Sequence, residues 1–370
     1  MSNYKFLAVA DVHLGLKLFN LPELEQDLRD TFARICDLAI TLKVDYLFIA
    51  GDLYEHNRPS PDLIKFVRGQ VDKLNANGVV AAGIAGDHDK PINGCAWIHL
   101  SGIVPISQVG KQFVGMDYCD HSPLLIPKIA ELTYKDKIEW IFLHGHVPEI
   151  FKFSEEKKLL DVKQLGLIEN YPNLKGVILG DIHVPTDAKI HDPTGKKEEL
   201  PYIGYCGSLG ITKTDEIGRK AGVLYYDGNK LERYPFKLDR KFVRLHLGDS
   251  LEPINWINKF TAFFRDHQGK KPVIIVEYDK SCVEQLPLIG PLYEVGIVKQ
   301  ALARRKNMDD KDEPEEEVIN IRSELKTTDR IGSVLKEILP EKEAYDLTFD
   351  LLNNLDDPNS VLDKLKDKYQ

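Results

Sequence analysis

Five short loops carry histidine or aspartate in metal-competent spacing, and each follows an apolar run. In order they are Asp11-Val12-His13, Gly51-Asp52-Leu53-Tyr54-Glu55, Gly86-Asp87-His88-Asp89, Leu143-His144-Gly145-His146 and Gly180-Asp181-Ile182-His183. An Asp-x-His spacing in a turn lets a carboxylate oxygen and an imidazole nitrogen converge on one ion. A glycine before an aspartate permits the tight turn from which a carboxylate projects at a strand end. Singly, each loop reads as ordinary turn chemistry or as a polar cap on a core. Together they do not, because turns draw on Asn, Ser and Asp without concentrating histidine, and five of the eleven histidines lie in these loops. The economical reading is a dinuclear metal centre. Two divalent ions ~3.5–4 Å apart activate water and clamp the phosphoryl oxygens of an in-line displacement. Imidazoles and carboxylates without thiolates suit manganese or iron rather than a soft ion.

Such a centre needs a scaffold that gathers distant loops. Phe6–Ala10, Tyr46–Ala50, Val79–Ala85, Ile138–Leu143, Val177–Leu179 and Val223–Tyr226 read as buried strands. A helix is expected from Pro22 to Leu42, with apolar residues at Leu24, Leu28, Phe32, Ile35, Leu38 and Leu42. Ser60-Pro61-Asp62 opens a second helix, serine as the cap and proline in the first turn. Strand, loop, helix, strand in this rhythm predicts a layered α/β domain with its ligand loops at the carboxyl ends of the strands.

Around Leu238-Asp239-Arg240 the pattern changes. Strands at Phe242–Leu247 and Val273–Glu277 flank a helix over Ile254–Asp266, which suggests a small α+β unit. The block from Asp309 to Glu317 is strongly acidic and reads as a solvated loop or linker. Helical spacing follows over Ser323–Leu339, Lys342–Leu352 and Ser360–Tyr369. That segment is either a hairpin packed on its own protein or a docking element for a partner.

Composition narrows the classes. The 370 residues are 43% hydrophobic and 29% charged, enough for two or three globular units. No apolar run approaches the ~20 residues of a membrane span. The first strand and its ligand loop begin almost at the N-terminus, so a cleaved signal would remove them, and a cytoplasmic protein is expected. Five cysteines, widely spaced and without a C-x-x-C pair, argue against a zinc knuckle or disulfide framework. A net charge of −9 counts against holding nucleic acid by side-chain charge alone, although bound divalent ions add local positive charge.

The order of loops resembles the calcineurin-like metallophosphoesterase superfamily, whose pattern is D-x-H, G-D, G-N-H-D/E, H and G-H-x-H. The resemblance spans residues 5–230, and Ala10–Gly15, Gly51–Tyr54, Tyr205-Cys206-Gly207-Ser208-Leu209 and Val223–Asp227 with Arg240 look like its SbcD-type nuclease branch. It implies an α/β fold, a layered β-sandwich core flanked by helices, with a small α+β capping domain and C-terminal helices. Its boundaries would be 1–238 for the nuclease domain, 239–318 for a DNA-contacting cap and 319–370 for a helical ATPase-binding segment. Carried over, Asp11, His13 and His183 hold one ion, Asp87 and Asp181 the other, and Asp52 bridges. The alignment favours His146 as the remaining ligand, with His144 at the strand end as the alternative. His88 matches a histidine that binds no metal and stabilises the transition state or protonates the leaving oxygen. Lys17, His56 and Arg58 are weaker candidates for a backbone phosphate, and His99, His121, His191, His246 and His267 read as structural.

The implied activity is a Mn²⁺-dependent DNA exo- or endonuclease, with Mg²⁺ or Fe²⁺ as other ions. It would work as a homodimer with an SbcC-like SMC/ABC-type ATPase in DNA repair and recombination. A phosphodiesterase or phosphatase for a small or protein substrate is the second reading, and a non-catalytic scaffold the third. Two positions depart from the pattern: Asp87 stands where asparagine is expected, and Asp181 where histidine is expected. Four carboxylates against two divalent ions lower the formal charge from +2 to zero, which should favour hard ions and weaken the pull on phosphate.

Overall fold

The computed structural model describes residues 4–118, 131–147, 170–188, 201–247, 252–265, 269–278, 286 and 289–302. The acidic block, the three C-terminal stretches of helical spacing and the expected ATPase-binding segment 319–370 lie outside these residues, as do His121, His191 and His267. The chain divides into two compact units, residues 1–242 with 266–272, and 243–265 with 273 onward.

The first unit holds two sheets. In one, β1 (Phe6–Val9), β2 (Tyr46–Ala50), β3 (Val80–Ile84) and β4 (Val104–Pro105) run parallel, and β10 (Leu224–Tyr226) and β11 (Leu231–Arg233) extend the β1 edge antiparallel. In the other, β5 (Phe113–Gly115), β6 (Trp140–His144), β7 (Gly176–Gly180) and β9 (Tyr202–Tyr205) are parallel, with β8 (Thr186–Ala188) antiparallel on the edge. The strands expected from apolar runs are present with ends shifted by a residue or two. Ile138 precedes β6 because a short turn at Lys135–Lys137 occupies that stretch.

Period-two alternation sorts the strand residues into layers. Leu7, Val9, Leu47, Ile49 and Ala81 face α1 (Pro22–Thr41) and α2 (Pro61–Ala76), which bury Leu24, Leu28, Phe32, Ile35 and Leu63, Val67, Val71, Leu74. Ser60 caps α2 by accepting a hydrogen bond from the Leu63 amide at 3.3 Å, with Pro61 in the first turn. The opposite set, Phe6, Ala8, Ala10, Phe48, Ala50, Trp140, Phe142 and Ile178, fills the space between the sheets.

Within that middle layer, side-chain size falls toward the carboxyl ends of the strands. Phe6 meets Trp140 edge-on at 5.0 Å between centroids, and Phe48 meets Phe142 at 4.6 Å. Further along the same strands stand Ala10, Ala50 and Gly180, and a Cβ on Gly180 would lie 2.2 Å from the Ala50 carbonyl oxygen. Each large ring buried at the wide end contributes about 1.5–3 kcal/mol, so adhesion between the sheets is concentrated there. The narrow end brings the loops of both sheets together.

Two segments are pinned to α1 by one carboxylate: Arg240 bonds Asp27, and Lys270 Nζ lies 2.7 Å from Asp27 Oδ1 and 2.6 Å from Asp30 Oδ2. The second unit is a sheet of β12 (Phe242–Leu247), β13 (Val273–Tyr278) and β14 (Ile297–Leu302) with α3 (Glu252–Arg265) and α4 (Leu292–Val295). Its core is Leu245, Leu247, Ile257, Ile274, Val276, Ile289 and Leu292. No helix among the described residues is long and apolar enough to cross a membrane.

Candidate metal centre

All five loops leave the narrow end of the two sheets. Beyond β1 and β2 the chain runs on side by side: the Asp11 amide donates to Gly51 O at 3.2 Å, those of Val12 and His13 to Asp52 O, and that of Leu14 to Leu53 O. Four non-glycine residues of the pocket take positive φ, namely Asp11 at 51°, His13 at 52°, Asp52 at 52° and Asp181 at 93°. Strain of this kind persists where surrounding contacts over-determine the backbone, and it gathers at functional sites. Here it aims carboxylates and imidazoles at one space.

The described residues that come close enough to share a cation form four overlapping groups: Asp11, His13 and His183; His13, Asp52 and His88; Asp11, Asp52 and His144; and Asp87, His144 and Asp181. Ligand atoms within each group lie within 4.8 Å of one another. Asp11, His13, Asp52 and His144 each belong to two groups. His146 belongs to none of them and meets the cluster at Asp181, with Nε2 2.9 Å from Oδ2.

Three histidines share one arrangement, an oxygen holding Nδ1 while Nε2 faces the pocket. His13 Nδ1 is 2.8 Å from Glu55 Oε2, His183 Nδ1 bonds Glu216, and His144 Nδ1 donates to the Ala50 carbonyl at 2.9 Å. Such partners fix the tautomer and the ring direction that a metal needs. Turned this way, His13 Nε2 lies 3.2 Å from His183 Nε2, and His144 Nε2 lies 3.4 Å from Asp52 Oδ2 and 3.3 Å from Asp87 Oδ1.

The electrostatics ask for a cation. Asp11 is fully buried, and its Oδ2 has no hydrogen-bond partner. Burial pushes its carboxyl up, and His183 and His144 offset this only in part. Burial would do the same to Asp52, but His144 and His13 hold its carboxyl below the usual range. Burial disfavours a charged His144, yet Asp52 raises its pKa well above the ordinary value. The pocket thus draws protons to balance buried carboxylates, and a divalent ion that fits these donors displaces them. The residues present fit a pair of metal ions.

Sequence patterns alone did not single out the supporting residues. Glu216 is fully buried and holds Thr212 through its amide at 2.6 Å and its hydroxyl at 2.9 Å while bonding His183. Asp89 accepts from the Leu53, Tyr54 and Gly86 amides, locking the second loop to the third, and burial together with Asp52 pushes its carboxyl up to about 7. Glu55 and Asp89 lie inside the quoted loops. Glu216 follows its histidine by 33 residues with nothing in its neighbourhood to mark it.

Glu216→Gln should weaken ion binding by ~10–100-fold, read by competition with a fluorescent chelator. An unchanged affinity would remove Glu216 from the centre.

Lys17, His56 and Arg58 are exposed, and Lys17 Nζ stands 3.9 Å from Glu25. His88 is 42% exposed at the open face, its amide donating to Asp52 Oδ1 at 3.0 Å and its Nδ1 to the Glu55 carbonyl at 3.1 Å. His99 bridges the Ile103 carbonyl and the Asp117 carboxylate, a structural tie. The Tyr205–Leu209 stretch closes the pocket floor: Ala10 pairs with Ser208, and the Ser208 amide donates to His183 O at 2.9 Å.

A model of the calcineurin-like phosphoesterase family matches residues 4–185. The DNA double-strand break repair protein Mre11 of Sulfurisphaera tokodaii is 39% identical over 205 residues, which cover 55% of this chain and 44% of that protein. That of Haloferax volcanii is 28% identical over 227 residues, 57% of this chain and 47% of its own length. The matched part of the chain thus spans less than half the length of these relatives.

Proposed function

The chain carries a calcineurin-like phosphoesterase domain over residues 4–185, and from that premise we propose that it hydrolyses DNA phosphodiesters with two divalent ions, as the nuclease component of a repair assembly. The observation that supports this most is the convergence of Asp11, His13, Asp52, Asp87, His144, Asp181 and His183 on one pocket. The repair proteins named above are similar to this chain over 205 and 227 residues.

When bound, the pair of ions would supply Lewis acidity, lowering the pKa of water and neutralising charge on the phosphoryl oxygens. Asp11, His13 and His183 would hold one ion and Asp87, Asp181 and His144 the other, with Asp52 between them. His146 orients Asp181. The His88 Nδ1–H group donates a hydrogen bond to the Glu55 carbonyl, which leaves Nε2 to meet the substrate. As an imidazolium, protonated on both nitrogens, His88 would pass its Nε2 proton to the leaving oxygen and return to the neutral Nδ1–H form. Glu55 and Glu216 keep His13 and His183 turned inward. Manganese is the ion we favour. DNA, an SMC/ABC-type ATPase and a second copy of the chain are the partners this reading assigns, with residues beyond 319 as the place to seek the ATPase contact.

The test is hydrolysis of labelled single- and double-stranded DNA and of bis-p-nitrophenyl phosphate with manganese. His88→Ala should lower DNA cleavage by ~10²–10⁴-fold, the usual share of a positioned general acid, and leave ion uptake unchanged. Turnover of the small ester without DNA cleavage would favour a small-substrate phosphodiesterase. Neither activity in the metal-loaded protein would refute the assignment.

A further inference from the structure

The donors are not spread evenly through the pocket. On one side Asp11, His13 and His183 supply two imidazoles and one carboxylate, with His13 and His183 facing each other Nε2 to Nε2 at 3.2 Å. On the other side Asp87, His144 and Asp181 supply two carboxylates and one imidazole. Asp52 adds a third carboxylate there, its Oδ2 3.4 Å from His144 Nε2, and stands 3.8 Å from His13 Nε2 on the first side.

Both aspartates that replace a neutral family residue, Asp87 and Asp181, therefore fall on the same side. The nitrogen pair of the other side is intact. His146 bonds Asp181 at Oδ2, so that imidazole acts on the carboxylate as its partner. Imidazole nitrogen suits transition ions such as iron or zinc and is accepted by manganese, which also takes oxygen, whereas magnesium seeks oxygen and keeps part of its water. Three carboxylates around one position make an oxygen-rich site, and two imidazoles around the other make a nitrogen-rich one.

Resting on the metal centre of the reading above, we propose that the pocket is built for two unlike ions. A nitrogen-accepting transition ion such as manganese lies among Asp11, His13 and His183. Magnesium lies among Asp52, Asp87 and Asp181, with His144 as its single nitrogen donor. The replacement of asparagine and histidine by aspartate at 87 and 181 is the change that makes the second position hard.

The full chain is stripped with a chelator, dialysed against manganese with magnesium in large molar excess, and read by elemental analysis and electron paramagnetic resonance. One manganese and one magnesium per chain are expected, with the hyperfine spectrum of an isolated manganese ion. In the Asp87→Asn, Asp181→His double variant, magnesium content should fall at least about tenfold and a second, spin-coupled manganese should appear. Asp181→Asn adds neither bulk nor an imidazole. It should lose magnesium by a similar factor and keep one manganese, so the proposal remains testable if the double variant misfolds. Two manganese ions in the wild-type chain under these conditions overturn the proposal and leave the metal centre standing. No bound ion overturns both.

Discussion

Asp52→Asn should abolish phosphodiester hydrolysis while leaving the fold intact, a loss of ~10³-fold or more by comparison with removal of a single preorganised electrostatic contact. Asp52 is the carboxylate on which both halves of the pocket depend. It belongs to the His13–His88 group and to the Asp11–His144 group, and it is buried. An amide in its place removes one anionic oxygen and, in one rotamer, points an N–H group at His144 and His13. In the other rotamer the N–H group meets the His88 amide, which now donates to Oδ1 at 3.0 Å. Neither rotamer can bridge two cations. Ion content should fall from two per chain to at most one. Because Asp52 is the charged partner of buried His144 and His13, deleting its charge leaves those imidazoles uncompensated, and the thermal midpoint should fall although the chain still folds. Turnover, elemental analysis and a melting curve check the three parts. Two bound ions with near-normal turnover in this variant would contradict the bridging role.

Gly51→Ala should damage both stability and metal binding. Gly51 has φ of 98°, which costs a residue with a Cβ about 1–2 kcal/mol. A methyl group there would also stand 2.1 Å from His144 Nδ1, the atom that donates to Ala50 O. His144 is walled in by Gly86 and Gly180 too, whose added Cβ atoms would lie 2.7 Å from its ring, so it has no room to yield. Overpacking of this kind costs about 1–3 kcal/mol, and the two effects together amount to roughly 2–5 kcal/mol. Denaturant titration should show an earlier unfolding midpoint, and chelator competition should show weaker ion binding even where the protein is folded. A variant matching wild type in both measurements would mean that the close approach of β2 to His144 is wrong.

The strands and the two main helices were legible because burial on one face or both imposes a period, and the residues of this chain keep it. Phe6, Phe48, Trp140 and Phe142 could be placed in strands, but that they pack on one another could not be read, since nothing local specifies which faces meet. The five loops were legible as ligand-bearing for a different reason, the concentration of histidine beside aspartate and glycine. His144 against His146 shows where a physical signal was present and unused. His144 is in phase with Trp140 and Phe142 along β6, and that parity turns it between the sheets, into the space where the carboxylates gather. His146 lies past the strand end, where parity no longer constrains direction. Glu216 had no such signal. It is a carboxylate brought to His183 by a turn after β9, and only the folded chain reveals the pair.

The middle layer sets a gauge for the chemistry. Bulky rings at one end and small residues around His144 at the other make the two sheets behave like the jaws of a caliper, with the ligand loops at the tips. In a pocket holding two cations, as proposed above, their separation would be set in part by how thick Phe6, Phe48, Trp140 and Phe142 are, although these rings belong to the layer between the sheets and not to the ligand set. A homologue that keeps every ligand but trims one of those rings would close the wide end and reset the spacing at the tips. Metal–metal distance is a trait such a protein can alter from its greasy interior, out of sight of any comparison made ligand by ligand.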